Sequence, residues 1–302
     1  MEQNAFDCDS SSKKLKREPN MLLRLLNDMI LPTFPYTNST ELNQTLSGNL
    51  QDLDEVLSKD IITVADFWDV IGNSLLKKAL ENGLDDLFKL LLKHAVKDRE
   101  LGQDIGAELI QIACCDHDLN HAALLFDQGA QIKVIEGLSL LVYAYGYTEL
   151  MVLLLAHGAP VDDVGYGHTD LRESCLNVAC RDGDLDVIQL LFKHGADPDF
   201  SLDFINPPLT LASYYGRFEA VQLLLDHGAD INAISISEEI GYGTALLHAC
   251  NNEYFDIDRL LLERGADSMI PDKNGQTALD YVSAGSEIAQ LISNAQLERT
   301  LK

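Results

Sequence analysis

The chain has few basic residues. Its 302 residues contain 22 Lys and Arg against 48 Asp and Glu, which gives a formal net charge of −26. Because such a surface would repel phosphates, the sequence argues against a nucleic-acid ligand. Residues 100–171 and 196–258 each hold eleven acids and one base, so together they carry −20 of that charge. This acidity either keeps the protein in solution or attracts a basic partner protein, and charge alone leaves both interpretations open.

The chain also lacks the common catalytic and cofactor motifs. It contains no Gly-rich phosphate loop, no H-E-x-x-H and no G-x-S-x-G elbow. Its six cysteines include no C-x-x-C pair, which favours free thiols in a reducing compartment over a metal site or disulfides. We therefore predict a protein that is not an enzyme and that binds no cofactor and no metal.

No apolar run is both long enough and uninterrupted enough to cross a membrane. Residues 138–156 approach that length, but Gly146, Thr148 and Glu149 interrupt them. The first dozen residues are polar and acidic, unlike a signal peptide. We expect no membrane interaction and no classical secretion, and a location in the cytoplasm, with the nucleus as the alternative.

What the chain does have is a repeated Leu-rich phrase that ends in Gly-Ala. Its copies are LLFDQGA at 124–130, LLLAHGA at 153–159, LLFKHGAD at 190–197, LLLDHGAD at 223–230 and LLLERGAD at 260–267. The closing glycines stand 29 to 37 residues apart, and an apolar residue lies 19 positions before four of the five. Such a recurrence indicates a stack of small structural units.

Each copy predicts a pair of helices. Ala179 stands three positions after the apolar residue Leu176, so the first helix can approach its neighbours closely. A turn follows at Gly183, and a second helix with apolar residues at i, i+3 and i+4 ends at Gly195. Since one hairpin cannot bury its apolar face alone, neighbouring hairpins must complete the core.

This unit resembles the ankyrin repeat, whose two helices read T-P-L-H-x-A-A-x-x-G and L-L-x-x-G-A-D. The first pattern is matched most closely at 174–183, 207–212 and 244–250, and a truncated seventh copy opens at 274–279. The resemblance covers residues 71–294. It implies an all-α ankyrin-repeat solenoid of six stacked helical hairpins with short finger loops, followed by a capping repeat. The turn glycine is replaced by His117 in the second unit and by Glu253 in the sixth.

The segments outside the repeats differ from them in composition. We predict a polar tail with a short helix at 1–38, a degenerate helical cap at 39–70 and a polar tail at 295–302. A basic cluster in the first tail is a candidate nuclear-import signal, with a chance cluster as the alternative; its residues are Lys13, Lys14, Lys16 and Arg17.

The resemblance also implies where a partner would bind. In ankyrin proteins the residues before the turn glycine point into a concave face, and the matching positions here are Tyr145, Arg181, Asp182, Tyr214, Tyr215, Asn251 and Asn252. Because aromatic and Arg side chains dominate interface energetics, Tyr214, Tyr215 and Arg181 are the main candidates. The alternative for Tyr145 and Tyr215 is packing against an adjacent finger.

Two finger loops are lengthened. The distance from the closing glycine to the next apolar anchor is 14 residues after Gly195 but 18 after Gly158 and after Gly228. Each long finger contains Gly-Tyr-Gly, which predicts an exposed and adaptable contact, with neutral insertion as the alternative. The candidate finger contacts are Tyr166 and Tyr242, with Phe200 and Phe204 in the shorter finger between them.

These observations predict a non-catalytic module that binds a partner protein, favouring a basic one, through the concave surface and the fingers. We expect a monomer. The irregular repeats and acidic composition also resemble ankyrin-repeat effectors that intracellular bacteria deliver into host cells, which would imply a non-classical secretion route. The alternative from another class is an ankyrin-targeted protein with an unrecognised enzymatic activity in residues 1–70.

Overall fold

The computed structural model describes residues 73–81, 84–96, 103–133, 138–166, 172–201, 206–237 and 239–300. The chain divides into two compact units, residues 1–133 and 134–302. The candidate import cluster, the predicted cap at 39–70 and Phe204 lie outside the described residues.

Two helical hairpins form the described part of the first unit. They are α1 (Asn73–Glu81) with α2 (Asp85–Val96), and α3 (Gln103–Cys115) with α4 (Leu119–Asp127). Helix α1 packs against α3. Phe88, Ile110 and Leu125 are fully buried and belong to the core of this unit.

Five helical hairpins and two β-hairpins form the described part of the second unit. In chain order they are α5 (Leu140–Tyr143), α6 (Thr148–Ala156), β1 (Val164–Tyr166), β2 (Arg172–Ser174), α7 (Cys175–Asp182), α8 (Leu185–Lys193), α9 (Pro208–Tyr214), α10 (Phe218–Asp226), β3 (Ile234–Ser237), β4 (Gly241–Thr244), α11 (Ala245–Asn251), α12 (Phe255–Glu263), α13 (Ala278–Tyr281) and α14 (Glu287–Thr300). The first helices α7, α9, α11 and α13 pack in succession, and so do the second helices α8, α10, α12 and α14. The predicted all-α stack of helical hairpins is confirmed, with two short β-hairpins added to it.

Side-chain caps explain where the helices begin. Ser174 Oγ accepts a hydrogen bond from Asn177 N at 3.2 Å, and Thr244 Oγ1 accepts one from Leu247 N at 3.3 Å. Each cap satisfies a backbone N–H that the helix leaves without a partner. The Ser or Thr at the start of the repeat motif is therefore the N-cap of the first helix.

Two residues other than glycine keep the left-handed turn conformation of the repeat. His117 has φ 56° and Glu253 has φ 60°, where the other repeats place glycines such as Gly183 at φ 78°. An L-residue in this region costs roughly 1–2 kcal/mol. The stack therefore imposes the turn even where the sequence departs from the motif.

We expect Glu253→Gly to raise the free energy of unfolding by about 1 kcal/mol, because glycine adopts this φ without strain. Gly183→Ala should have the opposite sign, since its φ is also positive and its Cβ would lie 3.0 Å from Arg217 Cδ. Urea unfolding of both variants measures the two effects. A destabilised Glu253→Gly variant would show that the Glu253 side chain contributes more than the strain costs.

Candidate functional site

Both lengthened fingers are antiparallel β-hairpins. Their paired residues run from Val164↔Ser174 to Tyr166↔Arg172 in the first, and from Ile234↔Thr244 to Ser237↔Gly241 in the second. The described residues of each lengthened finger therefore include a two-stranded ladder. Each ladder leads directly into the first helix of the next repeat.

The tyrosines of the two Gly-Tyr-Gly triplets occupy different places in these hairpins. Tyr166 lies on the first strand of its hairpin, opposite Arg172, whereas Tyr242 lies on the second strand, opposite Ile236. Arg172 and Tyr242 each stand three residues before the helix that follows. Tyr242 is thus the counterpart of Arg172, and Ile236 is the counterpart of Tyr166.

Glycines at inward positions hold the hairpins close to the helices. A Cβ on Gly165 would lie 2.2 Å from the backbone nitrogen of Ser139, and a Cβ on Gly243 would lie 3.4 Å from the His248 ring. Both glycines are buried. Their role is close packing, in contrast to the loop adaptability expected from the sequence.

A buried serine and histidine fasten the second hairpin to α11. Ser235 Oγ lies 2.7 Å from His248 Nε2 and donates to Gly243 O at 3.0 Å or to Gly241 O at 2.8 Å. Burial lowers the pKa of His248 to about 4, so the imidazole is neutral near pH 7. The hairpin is held in a fixed position by this contact.

The outward face of the same hairpin is apolar. Ile236 is 60% exposed and Tyr242, directly opposite, is 39% exposed. We call these two residues the finger patch. Cross-strand aromatic and β-branched side chains contact each other on one face of a hairpin, so they form a single small surface.

Arg181 is held inside the protein by two carboxylates. It pairs with Glu173 of β2, and its Nε lies 3.4 Å from Glu239 Oε1, in the turn between β3 and β4. The Arg181 side chain is only 16% exposed, and that of Glu173 is buried. Arg181, predicted to be a main contact for a partner, therefore connects both finger hairpins to α7.

Two predicted tyrosines also bind carboxylates of the chain. Tyr145 Oη donates to Asp182 Oδ2 at 2.9 Å, and Tyr215 Oη donates to Glu239 Oε1 at 3.0 Å. Burial, followed by the hydrogen bond to the neighbouring carboxylate, raises the pKa of both phenols. Tyr215 contacts a finger through Glu239, as its alternative interpretation expects, whereas Tyr145 contacts the last residue of α7. A role of either tyrosine toward a partner stays a prediction.

Tyr214, Asn251 and Asn252 lie at successive repeats. The Tyr214 ring packs edge-on against Tyr215 and His248, with centroids 5.1 and 5.6 Å apart. Asn252 Nδ2 donates to Tyr214 O at 3.3 Å, which ties the two repeats together. Asn251 is exposed. Phe200 is half-buried in its own finger.

Acidic residues of the fingers form a hydrogen-bond ladder between repeats. Asp162 accepts from the backbone N–H of Asp197 at 3.2 Å, and Asp199 accepts from that of Asp230 at 2.7 Å. Asn232 Oδ1 continues the pattern by accepting from the N–H of the next finger at 2.8 Å. These finger acids hold adjacent loops in register, a role that the sequence analysis did not assign to them.

Several residues of this region were missed at the sequence level. They are Glu173, Ser235, Ile236, Glu239 and Asp258. A comparison of repeats could have found Asp258, because it occupies the core position that Ile188 and Val221 hold in the preceding repeats. The others depend on strand pairing inside the long fingers, for which the repeat motif carries no signal.

Neither a metal site nor a membrane span is seen in the part of the chain that the structure describes. Over the described ranges, no three His, Cys, Asp or Glu side chains are grouped so that they could hold a metal ion. Within the same ranges, every helix is too short or too polar to cross a bilayer.

Comparisons with known proteins agree with this architecture. A family model of ankyrin repeats in three copies matches residues 138–235, and a second model of ankyrin repeats in many copies matches residues 209–262. A search of the curated proteins gave no significant match.

Solved structures with the same fold include two ankyrin-repeat domains. The domain of human ASB11 is 21% identical, with a TM-score of 0.50, over 73% of this chain and 96% of that one. The domain of Bcl-3, described as a unique member of the IkappaB protein family, is 24% identical, with a TM-score of 0.56, over 72% and 97%. At this identity the likeness concerns the fold.

The hairpin stack, the turn and cap residues, and the two family models define one class of protein. Residues 138–262 match ankyrin-repeat models, and the described helical hairpins have the ankyrin-repeat fold. Ankyrin-repeat domains are generally protein–protein interaction modules and typically non-catalytic.

Proposed function

We propose that this protein binds a partner protein through its second long finger and the adjoining concave surface. The observation that carries the proposal is the finger patch, where Ile236 and Tyr242 are exposed side by side. An exposed apolar pair on a hairpin fixed by Ser235 and His248 is pre-organised for docking, because little conformational freedom is lost on binding.

The surroundings of the patch favour a partner with basic groups near an apolar anchor. Residues 196–258 contain eleven acids and Arg217 as the one base. Complementary charge speeds association and disfavours wrong partners. The concave residues Tyr214 and Asn251 would extend the contact from the finger toward the inner helices.

Affinity capture from a eukaryotic lysate tests this proposal. We expect Ile236→Ser/Tyr242→Ser to lose the captured partner, with an affinity about tenfold lower or weaker, because central aromatic and aliphatic anchors contribute most of the energy of an interface. Quantitative mass spectrometry of the captured proteins, followed by titration of the purified partner, measures the loss.

The matched control is Val152→Ser/Leu297→Ser. Both residues are exposed apolar side chains on helices, at 44% and 61% exposure, and neither lies on a finger. We expect this variant to retain the partner. If both variants lose the same proteins, general surface hydrophobicity drives capture and the finger patch is not the site.

The second candidate function is an enzymatic activity in residues 1–70 that the repeats direct to a substrate. Those residues lie outside the described structure. They include the basic cluster, and we propose that it directs the protein to the nucleus. Deleting residues 1–70 separates the two functions. Partner binding should survive the deletion, whereas an activity located there would disappear.

A further inference from the structure

We propose a second protein-binding surface at the helix turns, which takes a Lys- or Arg-rich segment of a partner. We call it the turn edge, defined by residues 182–186, 215–219 and 252–256. It extends the proposed function to a face separate from the finger patch, and it rests on the proposal that this protein binds protein partners.

Contacts between successive turns make this edge continuous. A Cβ added to Gly183 would lie 3.0 Å from Arg217 Cδ, and one added to Gly216 would lie 2.7 Å from the Tyr254 ring. In these two repeats the residue before the second helix therefore covers the turn glycine of the preceding repeat. Arg217 Nε also donates to Arg181 O at 2.8 Å, which fixes that side chain along the edge.

Aromatic side chains are exposed along this edge. Phe255, the first residue of α12, is 54% exposed, and Tyr254 beside it is 37% exposed. Phe218, the first residue of α10, is half-buried at the equivalent position. The Tyr254 ring packs on Gly216 with one face, so its remaining surface is held toward solvent. The equivalent residues of α4 and α8 are Leu119 and Leu185, which are half-buried, so Phe255 is the exposed member of an apolar repeat position.

The turn edge carries an excess of negative charge. The turn edge holds six acids and one base. The carboxylates of Glu219, Glu253 and Asp256 are exposed and have no hydrogen bond or ion pair within the described ranges. Two other acids of the turn edge have partners, because Asp182 accepts from Tyr145 Oη and Asp184 accepts from Val187 N. The finger acids Asp162 and Asp199 also accept backbone hydrogen bonds, and Glu173 pairs with Arg181.

The negative charge and the exposed aromatic side chains of the turn edge together indicate which kind of partner segment binds there. Glu219 and Asp256 are second residues of their helices, where a carboxylate stabilises the helix by roughly 0.3–1 kcal/mol. That effect accounts for the acids but not for the exposed rings beside them. A Lys or Arg side chain can lie against an aromatic face and reach a carboxylate at the same time, so a basic peptide segment fits both features.

Binding of fluorescein-labelled hexalysine, followed by fluorescence anisotropy on the full chain, tests the proposal. At low salt we expect Glu219→Gln/Asp256→Asn to weaken binding about fivefold, as the loss of two largely exposed ion pairs predicts. Phe255→Ala should weaken it by about threefold through the lost cation–π contact. Thermal melts of each variant establish that it is folded.

Two control variants make comparable substitutions outside the turn edge. Asp127→Asn/Glu263→Gln removes the same net charge from exposed helix ends, and Met269→Ala shortens an apolar side chain that is 56% exposed. We expect both to bind within twofold of the parent, since surface changes remote from the site have small effects. Equal losses in the controls, or unchanged binding in the turn-edge variants, would overturn the proposal.

The finger-patch variant keeps the two proposals distinguishable. Ile236→Ser/Tyr242→Ser should bind hexalysine like the parent, even though it loses its captured partner. Loss of hexalysine binding in that variant, with full binding in the turn-edge variants, would move the basic site to the fingers and overturn this inference.

Discussion

Replacing Asp258 by valine should stabilise the protein by up to about 4 kcal/mol at pH 8 and by little near pH 4. Asp258 is fully buried in α12, and neither of its carboxyl oxygens has a hydrogen-bond partner of regular geometry among the described residues. Burial raises its pKa to about 7 from the ordinary 3.8, with the Cys250 thiol opposing only part of the shift. A shift of one pKa unit corresponds to about 1.4 kcal/mol.

The sign of the pH dependence follows from this raised pKa. Between pH 4 and 7 the unfolded chain loses the Asp258 proton while the folded protein keeps it, so the free energy of unfolding falls as the pH rises. Above pH 7 Asp258 is ionised in both the folded and the unfolded state, so the free-energy cost of burying its charge stays constant. Urea unfolding at pH 5 and pH 8 should show this slope in the parent and its absence in Asp258→Val.

Two further variants separate charge from packing. Asp258→Asn preserves the shape and removes the titration, so it should abolish this slope as well. Asp256→Asn changes an exposed acid on the same helix and should leave the slope between pH 5 and 8 intact. A parent-like slope in Asp258→Asn would mean that another group is responsible.

Arg181→Met should destabilise the protein by about 3–5 kcal/mol, because it leaves the buried Glu173 carboxylate without its partner. It also removes one of the three groups that hold Glu239, the others being the Tyr215 hydroxyl and the Asn206 amide. We therefore expect faster amide exchange in both finger hairpins together with the lower urea midpoint. If Arg181→Met no longer binds a partner, this loss alone would not show that Arg181 contacts the partner, because the variant also changes the finger hairpins.

A double variant and a surface pair complete this test. Arg181→Met/Glu173→Gln should recover most of the lost stability, since it removes the unpaired charge. Arg259→Met breaks an exposed pair with Glu287 at 3.0 Å and should cost less than about 1 kcal/mol. Similar losses in Arg181→Met and Arg259→Met would show that the Arg181 network contributes no more than a surface pair.

The sequence predicted the helical hairpins because the repeat contains its own local signals. Ser174 caps a helix, Gly195 ends the next one with φ 87°, and Ala179 and Cys180 are buried where helices approach closely. Each of these signals acts within a few residues along the chain. A residue pattern is therefore sufficient to locate them.

The candidate site was predicted less completely, because its contacts are distant in sequence. Arg181 and Glu239 are 58 positions apart in sequence. They meet only because strand pairing in the second long finger places Glu239 beside Arg181 of α7. The motif placed Tyr215 correctly at a repeat turn but could not show that Glu239 accepts its hydroxyl hydrogen bond. The sequence also could not show that Ile236 is exposed, because this depends on which face of the hairpin packs against the helices.

The sequence by itself determined the repeat architecture, the positions of the helical hairpins and the excess of negative charge, since composition and a local repeat carry that information. The tertiary structure alone decided which charges remain free. It buried Asp258 in a core position, neutralised Glu173 with Arg181 and left Glu219 and Asp256 exposed. The physical reason is that burial and ion pairing depend on which side chains the stacked repeats bring within a few ångströms, and identical residue types are placed differently by the same fold.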